Sequence, residues 1–262
     1  MQSSKVRVAV AAALSVLALA ACSGGSTPAS PTGTSSTTGT PVASPTRDLS
    51  VATTAVPHYV AATVKDPKHP ISAHTAADGT SRILHTFPGR TTYGAVTSFL
   101  VDDTQSKPGW FHVRLAMRPA GSQGWIKTSE VTAFTRDSYI VVNTTSHTIA
   151  VTVKGKTVSE RVAVGTDKTP TPLGTFWVTD LVDTTNPAYA PFALGLSARS
   201  EVLTEFGSGD GQIGIHGTND AASVGKAVSH GCIRVSQHLD GQLKAWTKSG
   251  AIGLGTPVII TA

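Results

Sequence analysis

The chain has few cysteines, few charged residues and little net charge. Its 262 residues include two cysteines, and charged residues make up 14%. This composition argues against a helical cytosolic protein and favours a β-rich, extracytoplasmic one. The formal net charge of +5 is too small to indicate a nucleic-acid partner. The histidines are scattered without the spacing of metal ligands, so we expect no metal.

The first 21 residues contain no acidic side chain, and their pattern predicts that the protein is exported. Lys5 and Arg7 precede an apolar run over residues 8–21, which is too short to span a bilayer comfortably and is typical of a signal peptide. The run ends in Leu-Ala-Ala-Cys22, which resembles the bacterial lipobox. We therefore predict a signal peptide over 1–21 and lipidation of Cys22. Several acyl chains on one residue would hold the protein on the outer face of the cell membrane, facing the wall. An ordinary secretory signal is the alternative.

The segment after Cys22 lacks the residues that build a core. Residues 23–46 contain only Ser, Thr, Gly, Pro, two Ala and one Val. Such a composition cannot bury enough apolar surface to fold, so residues 22–54 are predicted to be a disordered tether. A disulfide between Cys22 and Cys232 is the other use of the two thiols. Lipidation of Cys22 leaves Cys232 without a partner.

Two folded units are predicted after the tether. Residues 55–135 contain short β-type runs separated by turn signals. The run 110–115 and the sequence Gly124-Trp125-Ile126 resemble the closing strands of bacterial SH3-like barrels, over about 25 residues. We expect a small β domain that either spaces and caps the second unit or binds the cell wall.

The second unit, residues 137–262, is also predicted to be mainly β. The expected strands are 139–142, 148–153, 158–164 and 256–260, with a hairpin turn at 154–156. The pattern predicts one short helix over 236–249, with Ser236 as its cap and Gly250 after its end. Its apolar face consists of Leu239, Leu243 and Trp246. Trp246 is therefore expected to belong to the core and not to a ligand site.

The surroundings of Cys232 are those of a reactive thiol. It ends the run Ser229-His230-Gly231-Cys232, and Gly231 permits a tight turn that could aim the amides of 230–232 at one point, as in an oxyanion hole. His216 lies sixteen residues upstream, and an imidazole can take the thiol proton or stabilise the thiolate. Both histidines are candidate bases. His216 is favoured, because His230 shares a face with the thiol only in an extended segment.

These motifs resemble a known family. His216-Gly217 followed by Ser229-His230-Gly231-Cys232 is similar to the signature of the L,D-transpeptidase catalytic domain, the YkuD-type fold. The sequence Thr-Pro-Thr-Pro-Leu-Gly-Thr-Phe over 169–176 resembles another family segment, and the likeness covers residues 138–261. Arg234 departs from the original pattern, which has Asn there. The resemblance implies a β-rich catalytic domain with one short helix near the site.

The resemblance also implies a role for each motif residue. Cys232 would be the acyl-accepting nucleophile and His216 the general base, oriented by the backbone near Gly217. His230 and Gly231 would contribute to the oxyanion hole, with Ser229 in support. Gly217, Arg234 and Tyr189 are the candidate substrate contacts. Arg234 could meet a substrate carboxylate or form a plain surface ion pair.

The implied activity is transpeptidation of peptidoglycan. Cys232 would form a thioester with the third residue of a tetrapeptide stem, release D-alanine and pass the acyl group to a second stem, giving a 3→3 cross-link. No cofactor is needed, and β-lactams of the carbapenem type are the implied inhibitors. Water as acceptor would give an L,D-carboxypeptidase, and a protein amine would give attachment of that protein to the wall. The non-enzymatic alternative is a wall-binding or spacer lipoprotein.

Overall fold

The described part of the chain folds into two large β-sheets that follow one another in sequence, with one α-helix against the second. The computed structural model describes residues 58–189, 191–207 and 209–262. The predicted signal peptide, Cys22 and the tether before residue 58 lie outside these residues. No helix in the described ranges is long and apolar enough to cross a membrane.

The first sheet has seven strands, all paired antiparallel, in the order β3-β2-β6-β5-β4-β1-β7. Its strands are β1 Tyr59–Val64, β2 Ile71–His74, β3 Ile83–Phe87, β4 Ser98–Lys107, β5 Trp110–Arg114, β6 Gln123–Lys127 and β7 Val131–Arg136. Alternating residues such as Ile71, Val113 and Ile126 point inward and form its core. The predicted β character of this region is thus observed, whereas the likeness to SH3-like barrels and the domain boundaries stay predictions.

The second sheet has eight strands in the order β10-β9-β8-β17-β12-β13-β14-β16. The elements are β8 Tyr139–Asn143, β9 Thr148–Val153, β10 Lys156–Arg161, β11 Val164–Gly165, β12 Gly174–Asp183, β13 Phe192–Arg199, β14 Gln212–Gly217, β15 Ala227–Ser229, β16 Ile233–Val235, α1 Gln237–Lys248 and β17 Pro257–Thr261. Strands β11 and β15 form a separate parallel pair. The pairs β8–β17 and β14–β16 are parallel as well.

Local signals explain the elements that the sequence predicted. Lys154 and Gly155 join β9 to β10 with φ of 50° and 73°, the two positive values that a tight hairpin turn requires. The predicted helix is confirmed, since Ser236 Oγ accepts a hydrogen bond from the Leu239 amide at 3.1 Å. Gly250 follows the helix with φ of 75°.

The helix packs its apolar face on the second sheet. Leu239 and Leu243 are fully buried, and Trp246 packs against the same core. The helix contacts strands β13 and β14. Because β14 carries His216, the helix lies directly behind one of the candidate catalytic residues.

A buried tryptophan joins the two sheets. Trp177 of β12 is 1% exposed, and its Nε1 donates to the Ser98 carbonyl of β4 at 3.1 Å. Ser98 Oγ lies 3.2 Å from the same nitrogen. Residues 58–262 belong to one compact unit, and this contact lies in its interior.

Trp177→Phe should lower the free energy of unfolding by about 1–2 kcal/mol, because the ring is mostly retained while the buried Ser98 carbonyl loses its donor. Urea denaturation followed by circular dichroism measures the change. Trp110→Phe is the control, since the Trp110 indole is only half-buried and makes no hydrogen bond among the described residues. Equal stability losses in the two variants would contradict the assigned role of the Trp177 hydrogen bond.

Candidate active site

Parallel pairing of β14 with β16 brings the two candidate catalytic side chains together. In this register His216 lies opposite Arg234, and Ile215 opposite Ile233. Cys232 precedes β16 by one residue, and the same register places it beside Gly214 of β14. Since alternate residues of a strand share a face, Cys232, Arg234 and His216 lie on one side of the sheet. The isoleucines on the other side are buried in the core.

His216 is held in the tautomer of a general base. Its side chain is buried, and Nδ1 lies 2.8 Å from the Gly217 carbonyl oxygen. A carbonyl can only accept, so Nδ1 carries the proton and the lone pair of the neutral ring is on Nε2. Burial lowers the pKa of His216, and the positive charge of Arg234 lowers it further, against the Gly217 bond. The ring is therefore neutral and basic near pH 7.

Cys232 is a free thiol, partly exposed where the cavity meets the sheet. Burial raises its pKa above the ordinary value, although the Gly214 amide and the charge of Arg234 act in the opposite direction. A thiol with a raised pKa stays protonated at neutral pH. It becomes a nucleophile only when a neighbouring base removes its proton.

Ser229 braces the turn that presents the thiol. Its Oγ donates to the Cys232 carbonyl at 2.6 Å and accepts from the Gly231 amide at 3.1 Å. Gly231 has φ of 117°, a conformation that side chains rarely adopt, and a Cβ there would lie 2.9 Å from Ile213 Cδ1. The Gly231 amide thus donates within the turn, and the glycine allows the backbone conformation that the turn requires.

Two threonines of the segment 169–176 form hydrogen bonds to the same turn. Thr171 Oγ1 donates to the Gly231 carbonyl at 2.8 Å and accepts from the Gly165 amide at 2.9 Å. Thr169 Oγ1 donates to the Ser229 carbonyl at 3.1 Å. The sequence singled out this segment only by family likeness, and the structure shows that it supports the turn that carries the candidate nucleophile.

Two cavities reach the thiol. The main cleft, of about 660 Å³, is lined by Tyr93, Tyr189, Phe206, His216 and Cys232 among others. The side pocket is smaller and is lined by His216, His230, Cys232 and Arg234. The predicted site residues therefore meet at one place, with Ser229, Gly231 and Gly217 in its supporting backbone. The described residues contain no group of three metal-ligating side chains.

The two histidines differ in their surroundings. His230 is exposed, and its ring centroid lies 5.2 Å from that of Phe206 at the mouth of the cavities. His216 is enclosed, with the Tyr189 ring edge-on at 4.7 Å between centroids. The fixed tautomer and the enclosure both favour His216 as the base.

Arg234 borders the side pocket with its guanidinium free of a carboxylate partner among the described residues. The alternative of a plain surface ion pair is thus not observed there. A half-buried cation beside a thiol suits the binding of an anionic group of a ligand.

Asp240 is a buried carboxyl that the sequence reasoning missed. It is 0% exposed on α1, and burial raises its pKa to about 6 although the amides of Gly217 and Phe192 and the charge of Lys244 lower it. Asp240 thus lies behind the Gly217 backbone that orients His216. Its position between Leu239 and Leu243 on the apolar helix face is the sequence signal that could have identified it as a buried carboxyl.

Comparison with known proteins gives a consistent family. Residues 137–260 match the family model YkuD, described as the L,D-transpeptidase catalytic domain. The chain is 39% identical over 135 residues to YqjB of Bacillus subtilis (strain 168), whose name assigns it to the L,D-transpeptidases; the match covers 48% of this chain and 72% of that protein. It is 38% identical over 74 residues to YkuD of the same organism, covering 28% of this chain and 38% of that protein.

Solved structures of L,D-transpeptidases are similar to parts of the chain. One from Mycobacterium smegmatis is 17% identical and aligns with 64% of this chain and 92% of its own, with a TM-score of 0.38. The catalytic domain of the Enterococcus faecium enzyme is 21% identical and aligns with 48% of this chain and 97% of its own, with a TM-score of 0.32.

Asp240 should make stability depend on pH. A carboxyl whose folded pKa is raised contributes stability that is full below its unfolded pKa of 3.8 and is lost as the pH rises through about 6. Between pH 4 and 7.5 the unaltered protein should therefore lose about 2–3 kcal/mol relative to Asp240→Asn. Urea denaturation at each pH measures this difference.

Asp183→Asn is the matched control for that experiment. The bond from Lys244 lowers the pKa of Asp183, which is largely exposed, so its small contribution is lost in the opposite direction, as the pH falls. A difference between Asp240→Asn and the unaltered protein that does not change with pH would contradict the raised pKa.

Proposed function

The chain belongs to the family of L,D-transpeptidase catalytic domains, and on that premise we propose that it forms 3→3 cross-links between peptidoglycan stem peptides. One observation carries the proposal. The Cys232 thiol and the His216 imidazole, whose Nε2 lone pair is free, line the same cavity. A wall-binding or spacer protein would have no use for this pair.

Acylation begins with proton transfer from the Cys232 thiol to His216 Nε2. The thiolate attacks the carbonyl carbon of the third residue of a tetrapeptide donor and forms a carbon–sulfur bond. The carbon–nitrogen bond to the terminal D-alanine then breaks, and His216 returns the proton to the leaving amine. The products are a Cys232 thioester and free D-alanine.

The second half-reaction transfers the acyl group to an amine. The side-chain amine at the third residue of a second stem attacks the thioester carbonyl while His216 takes its proton. The carbon–sulfur bond breaks, the thiolate recovers the proton, and a new amide joins the stems. The low pKa of His216 suits this cycle, because the ring must be neutral at the start of both half-reactions.

The oxyanion of both steps forms next to the catalytic turn. We assign its stabilisation to the backbone amides of His230 and Cys232, because the Gly231 amide donates to Ser229 Oγ. Fixed amide donors of this kind contribute several kcal/mol to acyl transfer. Gly231 and Ser229 act by shaping the turn.

The side pocket suits the end of the donor that leaves. Arg234 would pair there with the carboxylate of the terminal D-alanine. Tyr189, edge-on to His216, would close the site over the bound stem, and the Gly217 carbonyl would keep the base in its tautomer. β-Lactams of the carbapenem type would acylate the same thiol and act as inhibitors.

The proposal also places the enzyme outside the cell membrane. The signal sequence before Cys22, the lipidation of that residue and the polar tether after it would anchor the catalytic domain on the outer face, where stem peptides are found. The 24 polar residues 23–46 alone would span about 25–30 Å as a coil. It would let the enzyme act at a distance from the bilayer.

Cys232→Ala should abolish the covalent adduct. Intact-protein mass spectrometry after exposure to a carbapenem should show one adduct per chain in the unaltered protein and none in Cys232→Ala. With a tetrapeptide muropeptide, the unaltered protein should release D-alanine and yield dimers, or monomers shortened by one residue if water is the acceptor. Cys22→Ala is the matched control and should keep both activities. An adduct on Cys232→Ala would refute the nucleophile.

His216→Ala and His230→Ala should differ strongly. Loss of the general base should lower kcat/KM for the tetrapeptide by about 10²–10⁴-fold, whereas loss of the exposed His230 ring should cost less than about tenfold. Because the pKa of His216 is lowered, the acid limb of the kcat/KM profile should fall below pH 6.5. A larger loss in His230→Ala than in His216→Ala would make His230 the base.

A further inference from the structure

A loop of the first sheet borders the active-site cleft of the second. The connection from β3 to β4 carries Thr92 and Tyr93 into the lining of the main cleft, which also includes His216 and Cys232. We call residues 90–96 the cleft loop. The active site is thus bounded partly by residues outside the segment 137–260 that matches the family model.

Hydrogen bonds within the cleft loop make it rigid. The Thr91 amide donates to the Ala95 carbonyl at 2.8 Å, and the Gly94 amide donates back to the Thr91 carbonyl at 2.9 Å. Arg90 Nη1 also donates to the Gly94 carbonyl at 2.8 Å, and Gly94 has φ of 83°. Tyr93 therefore stands at the tip of a closed turn.

A buried carboxylate anchors this loop to the second sheet. Thr91 Oγ1 donates to Asp180 Oδ1, and Asp180 of β12 is 1% exposed. Thr179 Oγ1 and Gln212 Nε2 donate to Asp180 Oδ2 at 2.8 and 3.0 Å. Moving the loop away would remove a donor from a buried carboxylate, which is costly.

Tyr93 contributes little to the packing of the first sheet. Its side chain is 61% exposed and is absent from the core of the first sheet. Tyr93 and Tyr189 both line the main cleft, and the Tyr189 ring contacts His216.

We propose that Tyr93, held by the Thr91–Asp180 contact, forms a wall of the substrate-binding cleft and contacts the stem peptide beyond the bond that is cleaved. The inference rests on the proposed function. A cleft of about 660 Å³ has room for several peptide residues, and an exposed aromatic ring on a rigid turn provides a contact surface at little entropic cost. The first sheet thereby becomes part of substrate recognition.

The test compares Tyr93→Ala, Tyr93→Phe and Ile83→Ala in the full chain. Ile83 lies in the same sheet, is 50% exposed and does not line the cleft. Tyr93→Ala should raise the KM for a disaccharide-tetrapeptide about five- to tenfold with a smaller change in kcat, because a contact remote from the reacting atoms is lost. Tyr93→Phe should recover most of the loss, and Ile83→Ala should match the unaltered protein.

Two further measurements separate the possible failures. Alkylation of Cys232 by iodoacetamide, which is too small to span the cleft, should proceed at equal rates in all variants and shows that the thiol is intact. Thr91→Val, which removes the anchor, should raise KM in the same direction as Tyr93→Ala.

An unchanged KM in Tyr93→Ala would overturn the assignment of Tyr93 as a cleft wall while leaving the proposed transpeptidase activity intact. Failure of the unaltered protein to turn over the muropeptide would instead overturn the proposed function and this inference with it.

Discussion

The parallel pairing of β14 with β16 decides which side chains can meet in this protein. With His216 opposite Arg234, the thiol of Cys232 falls beside Gly214, and all three polar side chains face the cavity. Ile215 and Ile233 point the other way into the core and are fully buried. A slip of β16 by one residue would turn Ile233 out of the core and the cysteine away from the imidazole. The hydrophobic core therefore enforces the register that the chemistry needs.

The electrostatics of the site follow from the same burial. Enclosure raises the pKa of Cys232 and lowers that of His216, so both groups rest in their neutral forms. The charge of Arg234 opposes the first shift and adds to the second, which means that it favours the thiolate while keeping the imidazole unprotonated. A thiol in its protonated form is a weak nucleophile until a base removes its proton. The free thiol is thereby less exposed to side reactions in the meantime.

The sequence predicted the features that depend on neighbours in the chain. The turn at Lys154-Gly155, the helix capped by Ser236 and the motif around Cys232 all have local signals, and the structure contains the turn and helix as expected. The contact of Thr91 with Asp180, which fixes the loop that carries Tyr93, could not be predicted, because the two residues lie 89 positions apart and no periodicity marks such a contact. Family likeness singled out the segment 169–176 but did not say what its residues do. Only the structure shows that Thr169 and Thr171 hydrogen-bond to the turn that carries Cys232.

The contact between the two sheets contains buried polar groups that a simple spacer domain would not need. It buries the carboxylate of Asp180 and the indole nitrogen of Trp177, and each requires partners from the other sheet or from neighbouring strands. Buried polar groups add little net stability compared with apolar packing, but they fix one relative arrangement, since any other leaves them unpaired. Strand β12 carries both groups and pairs with β13, whose Ala193, Leu194 and Gly195 line the main cleft. The position of the first sheet is thus fixed against the strand that borders the cleft, which is the arrangement that a shared substrate wall requires.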